Sequence, residues 1–161
     1  MGKQSGRPAG WFEEIVGRNE DRLLRAAVSL LRSKAEAEDA VQDTFVKLLE
    51  KAPNFVDESH ETAWLLRVVI NHCKSRLRSL AWKNAAPLPP EYPAQTEAQR
   101  ELLDTVRALP AKYRVVIHLF YYEGYATKEI AVITKQKDST VREQLTRARR
   151  MLKKFLEEDE V

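Results

Sequence analysis

The sequence predicts an all-α protein built as two small helical domains joined by a proline-rich linker. Three observations carry that expectation. Apolar residues recur at the three- and four-residue steps of a helix through most of the chain. Strand-type alternation is almost absent. Finally, Pro87, Pro89, Pro90 and Pro93 crowd into seven positions, away from any apolar period. Proline removes an amide donor and restricts the residue before it, so this run reads as an extended connector. The boundaries that follow are a first domain at 1–80, a flexible linker at 81–98 and a second domain at 99–161.

In the first domain, Leu23, Leu24, Ala27, Leu30 and Leu31 share one helical face. Val41, Phe45, Leu48 and Leu49 make a second, and Ala63, Leu66, Val69, Ile70 and Leu77 a third. Past the linker, Leu102, Leu103, Val106 and Leu109 predict a helix that Pro110 ends. Tyr113, Val116, Ile117 and Phe120 predict the next, with Gly124 as its C-terminal stop. A short helix is expected from Thr127 to about Thr134. A long one follows from about Ser139, capped by Asp138 or Ser139, to about Leu156.

The totals narrow the class. No stretch approaches the roughly 18 unbroken apolar residues of a membrane span. Residues 1–10 lack the apolar core of a secretory signal. The lone cysteine, Cys73, has no partner for an intramolecular disulfide and fits a reducing compartment. A cytoplasmic protein is expected. The histidines His60, His72 and His118 are isolated, and there is no glycine-rich phosphate loop, so neither catalysis nor a metal or cofactor is implied. The net charge of +3 conceals a segregation: residues 100–156 carry 13 basic and 6 acidic side chains, whereas 157–161 carry four acids. A compact basic segment suits nucleic acid, although a solvated helix surface would look the same by charge alone.

The sharpest pattern is a helix-turn-helix over Thr127–Leu145. Ile130 and Ala131 face inward, a polar turn follows at Lys135-Gln136-Lys137, and Val141, Leu145, Ala148, Leu152 and Phe155 form one apolar stripe. Arg142, Arg149, Arg150 and Lys153 lie opposite, with Gln144, Thr146 and Arg147 near the edges. Arg142 could pair with guanine, Gln144 with adenine, and Glu143 could accept from cytosine. An ordinary basic amphipathic helix is the competing interpretation.

Two stretches, read together, resemble the ECF (extracytoplasmic-function) RNA polymerase sigma factor family. The first runs Ala37-Glu38-Asp39-Ala40-Val41-Gln42-Asp43-Thr44-Phe45, then Ala63-Trp64-Leu65-Leu66-Arg67 and Asn71, and is similar to the family's region two. The second comprises Ala108-Leu109-Pro110-Ala111-Lys112-Tyr113-Arg114, Tyr122-Glu123-Gly124-Tyr125, Glu129-Ile130-Ala131, Ser139-Thr140-Val141-Arg142 and Leu145-Thr146-Arg147-Ala148-Arg149, and is similar to region four. The resemblance spans roughly Leu23 to Leu156. It implies a factor that binds core RNA polymerase and directs promoter recognition, melting and initiation. The alternative is a helix-turn-helix regulator that binds duplex DNA without polymerase.

The resemblance also implies roles by position. Asp39, Gln42, Asp43, Phe45 and Leu48 would face the clamp helices of the largest polymerase subunit, although Phe45 and Leu48 suit a core equally. Region four would meet the polymerase flap. Phe55, Trp64, Arg67, Asn71, Lys74, Arg76 and Arg78 would serve the downstream (−10) element, where unstacked bases need aromatic platforms and cations; Trp64 also fits a core position. Lys128, Thr140, Arg142, Glu143, Gln144, Thr146, Arg147, Arg149 and Arg150 would serve the upstream (−35) element. An anti-sigma factor is a possible further partner. One departure stands out: family members commonly carry glycine in the turn, where this chain has Thr134-Lys135-Gln136. A left-handed backbone there costs a residue with a side chain ~1 kcal/mol or more.

Overall fold

The computed structural model describes residues 7–31, 33–79 and 96–159. Among them the regular structure is helical: α1 (Trp11–Leu30), α2 (Lys34–Lys51), α3 (Glu58–Ser79), α4 (Glu97–Arg107), α5 (Ala111–Ile117), a π-helical turn (His118–Tyr122), α6 (Thr127–Thr134) and α7 (Asp138–Asp159). The proline cluster lies outside the described residues. Helix α4 starts at Glu97, two residues inside the span expected to be linker.

The first three helices pack mutually as one module. Gly10 turns the chain into α1 with φ 81°, a left-handed value that glycine adopts without a Cβ clash. The Ser33 side chain accepts from Glu36 N at 3.1 Å to start α2, and Asp57 accepts from His60 N at 2.8 Å to start α3. Leu23, Leu48, Leu65, Leu66 and Val69 are enclosed between the three helices. A buried polar knot crosses this core. Asn19 Nδ2 donates to Ile15 O and to Glu61 Oε2, both at 2.9 Å, while Thr62 donates to Asn19 Oδ1 at 2.8 Å. Arg18 completes it with an N–H to Glu61 Oε1 at 2.8 Å. Every one of these contacts joins α1 to itself or to α3, so the knot fixes the register of those two helices.

In the second module, α7 lies against α5 and α6, with Val141, Leu145 and Ala148 on its buried stripe. The structure places α6 over Thr127–Thr134, the span expected from sequence, and α7 begins at Asp138. The π turn was not anticipated. Glu123 N donates to His118 O at 3.0 Å, a five-residue step, and Gly124 then reverses the chain at φ 78°.

The two modules are docked onto each other. Helix α1 contacts α4, α5 and the π turn, α3 contacts α6, and the buried apolar residues of both modules form one continuous cluster. Sequence periodicity gave no hint of this shared surface, because its polar contacts come from arginines that look like surface residues in one dimension.

Candidate nucleic-acid interface

The basic face of α7 stays outside the packing. Arg142, Glu143, Thr146, Arg147, Arg149 and Arg150 are all exposed, as is Lys128 on α6, whereas Thr140 is half-buried. Two pairs order the reading end: Arg142 with Asp138 at 3.0 Å and Arg147 with Glu143 at 2.7 Å, each one turn apart. Glu143 therefore sits against a cation, which reduces its repulsion of phosphate. Arg149 leans the other way. Its Nε donates to the Tyr121 hydroxyl, and its guanidinium lies 5.5 Å from the Phe120 and Tyr121 ring centres.

The atypical turn has a defined substitute for glycine. Lys135 adopts the left-handed conformation, φ 54° and ψ 46°, and Gln136 N donates to Ala131 O at 2.9 Å, closing α6 with a six-to-one hydrogen bond. The Gln136 and Gln144 side-chain amides then exchange two hydrogen bonds, at 3.1 and 2.8 Å. Gln144 is thus half-buried and ties the turn to α7, where the sequence suggested a base-reading side chain.

On α3, Trp64, Arg67, Asn71, Lys74 and Arg78 step by 3, 4, 3 and 4 along one stripe. Trp64 is half-buried against Phe55, with ring centres 5.8 Å apart, and Phe55 also meets His60 edge-on. Asn71 and Arg78 are exposed; Lys74 is half-buried, and that burial, with Arg78 nearby, lowers its ammonium pKa. Arg76 leaves the stripe and bonds Asp43 of α2 at 2.8 Å. Arg67 is engaged by the second module: it donates to Val132 O at 3.0 Å and Ile133 O at 3.3 Å, capping the end of α6.

A second surface lies on α2. Asp39, Gln42 and Asp43 are exposed, but Leu48 is 0% and Phe45 8% exposed, so both belong to the core. The apolar side chains that do face outward beside the acids are Val46, 51% exposed, and Leu49, 38% exposed. Sequence reasoning missed Val46 and assigned Leu49 to the core. The 39, 42, 43, 46, 49 spacing would have revealed the stripe, since the core residues 41, 45 and 48 already mark the opposite face.

The contacts between modules were also missed. Glu123 receives Arg25 through two N–H groups at 3.1 and 3.2 Å, with Arg22 at 3.3 Å and His118 Nε2 at 3.1 Å. Burial works to raise its carboxyl, but the hydrogen bonds from His118 and Arg25 hold it down at about 2. Arg114 donates to Ser29 O at 3.2 Å and Leu30 O at 3.1 Å, and Arg107 donates to Leu31 O. Both arginines are buried against the C-terminus of α1, whose unpaired carbonyls and dipole favour a cation.

Comparison with known proteins agrees with this layout. Sigma-70 region 2 matches residues 15–83, and Sigma-70, region 4 matches residues 99–152. The RNA polymerase sigma-E factor of Streptomyces antibioticus is 32% identical over 152 residues, covering 91% of this chain and 84% of that protein. The ECF RNA polymerase sigma factor SigM of Mycobacterium tuberculosis is 29% identical over 150 residues, covering 90% of this chain and 76% of SigM. Among solved structures, the sigma factor RpoE in complex with the anti-sigma factor NepR from Bartonella quintana superposes with a TM-score of 0.76 at 25% identity, covering 92% of this chain and 98% of that one. CnrH in complex with the cytosolic domain of CnrY gives 0.71 at 26% identity, covering 98% and 94%.

Proposed function

This chain belongs to the ECF-type RNA polymerase sigma factor family, and from that premise we propose how its surfaces divide the work of initiation. A sigma factor joins core RNA polymerase and directs it to promoter DNA. The α2 stripe of Asp39, Gln42, Asp43, Val46 and Leu49 docks on the clamp helices of the largest subunit, with apolar anchors set among charges. Region four meets the flap. Trp64 and Phe55 offer a platform for unstacked bases, and Asn71, Lys74 and Arg78 with Arg67 hold the single strand of the downstream element. Arg142, Arg147 and Thr146 read the upstream element in the major groove, while Lys128, Arg149 and Arg150 position phosphates.

The protein works as a regulatory subunit in the cytoplasm and carries no catalytic site of its own. Its functional units are 1–80, a linker at 81–98 and 99–161. No helix among the described residues is long and apolar enough to cross a membrane. One structural relative, RpoE, is in complex with the anti-sigma factor NepR, and another, CnrH, is in complex with the cytosolic domain of CnrY; the first supports an anti-sigma partner here.

The single observation that carries this division is that α2 and α7 each pack an apolar face into the core while presenting an opposite, chemically distinct one. The α2 face is acidic and apolar, whereas that of α7 is basic. The test is retention of the chain by core polymerase, followed by run-off transcription. Retention with a promoter-dependent transcript is the expected result. Tight, specific duplex binding by the isolated chain without retention would favour the regulator reading.

A further inference from the structure

We infer that Tyr121 and Arg149 form a two-donor clamp for one backbone phosphate of the upstream promoter duplex, built where the π turn meets α7. The inference deepens the assignment of α7 to that element and rests on it. Its observation is a contact between side chains of two elements. Arg149 Nε donates to the Tyr121 hydroxyl, and the guanidinium lies 5.5 Å from the ring centres of both Phe120 and Tyr121. Those rings meet edge to face with centres 4.9 Å apart, and Phe120 is half-buried against the core. A free arginine side chain samples many rotamers. Here one edge is engaged and the direction of approach is set by a shelf of two aromatic rings.

The donors left over point to an anion. A tyrosine hydroxyl both accepts and donates. Its oxygen takes the Nε–H of Arg149, so its own proton remains for another acceptor, and among the described residues it has none. The terminal N–H groups of Arg149 are likewise uncommitted among the described residues. Accepting from a cation makes the hydroxyl a stronger donor in turn. Tyr121 is 57% exposed and Arg149 is exposed, so both donors are open to solvent. The nearest carboxylate in sequence, Glu123, is buried with Arg22, Arg25 and His118 and does not compete. Position selects the anion. Arg142, Thr146, Arg149 and Arg150 share the exposed face of α7, and Arg149 lies two turns past Arg142, ~10 Å along the axis. A recognition helix reads bases near its N-terminus, so that distance carries Arg149 out of the groove to the flanking backbone. The π turn supplies the second donor. Within it the adjacent tyrosines part: Tyr122 stacks on His118 with ring centres 5.3 Å apart and lies near Arg25 of α1, while Tyr121 meets α7.

The experiment measures equilibrium binding of the holoenzyme, full chain with core polymerase, to promoter duplexes across a range of salt concentrations. Tyr121→Phe removes one hydroxyl and keeps the ring. It should weaken binding about threefold to tenfold, the range of one lost hydrogen bond, without changing the salt slope. Arg149→Ala should weaken binding further and flatten that slope by about one phosphate's worth. Adding Tyr121→Phe to Arg149→Ala should cost less than about twofold more, because the two donors act on one phosphate. Replacing upstream phosphates singly by neutral methylphosphonates should reveal one position at which wild type and Tyr121→Phe bind alike. Base changes in the upstream element should leave the ratio between those two proteins unaltered. If Arg149→Ala does not fold, Tyr121→Phe read against the methylphosphonate series decides alone. A contact that merely steadies the fold would lower the melting temperature and weaken binding equally on a template without the upstream duplex; that result overturns the inference. So does an additive double variant, or a series with no such phosphate. Wild-type holoenzyme that binds templates with and without the upstream element alike removes the α7 assignment and the clamp with it. Discrimination that Tyr121→Phe fully retains removes the clamp alone.

Discussion

At the scale of single residues, burial decides chemistry more than identity does. Cys73 is fully enclosed, and burial pushes its thiol up to about 12. It should resist a thiol reagent at pH 8 in the native protein and react promptly in denaturant; rapid native labelling would contradict the packing of α3. Glu123 carries the opposite shift. Its folded pKa, about 2, lies below the ordinary 4.5, so it stabilises the fold above the ordinary value and that contribution disappears as pH falls from there toward 2. In acid titrations, wild type should therefore lose stability over that window relative to its neutral value, and Glu123→Gln should lack this component while being less stable near pH 7. Lys135 offers a third test at this scale. Because its backbone is left-handed and its side chain exposed, Lys135→Gly should stabilise by roughly 1 kcal/mol, raising the melting temperature by ~2–4 °C.

At the scale of elements, the helices were legible and their partners were not. The expected spans of α6 and the start of α7 agree with the structure to within a residue, because Gly124 and the Asp138-Ser139 pair are strong local signals. The π turn escaped because a five-residue hydrogen bond leaves no mark on apolar spacing. On α2 the apolar pattern placed Val41, Phe45 and Leu48 on the buried face but wrongly added Leu49, and the suggested docking anchors, Phe45 and Leu48, are core residues; the exposed pair is Val46 and Leu49. Val46→Asp should accordingly weaken core polymerase binding by about 2 kcal/mol, roughly thirtyfold, with no loss in melting temperature. On α7, Arg142→Ala or Arg147→Ala should lower transcription from cognate promoters about tenfold while leaving polymerase binding intact. Unchanged transcription from both would move upstream recognition to another surface. The Gln136–Gln144 amide pair was illegible for a simpler reason: two glutamines eight residues apart carry no signal until a turn brings them together.

For the molecule as a whole, the sequence divided the chain into two modules but left their docking invisible. The sequence assigned Arg67 to the downstream DNA element and gave no role to Arg107 or Arg114, and only the fold shows all three lodged on helix ends in the opposite module. The isolated chain should bind duplex poorly in moderate salt, by fluorescence anisotropy, and gain specificity only with polymerase present. The caps have a consequence for any attempt to recombine such proteins. Each half lends the other the charge that finishes one of its helices, so the two are not interchangeable cassettes. A chimera that keeps residues 1–80 but takes its remainder from a relative without arginines at positions 107 and 114 inherits bare carbonyls at the end of α1. Its first half should unfold at a lower temperature than the same half in the parent, although no residue within it has changed.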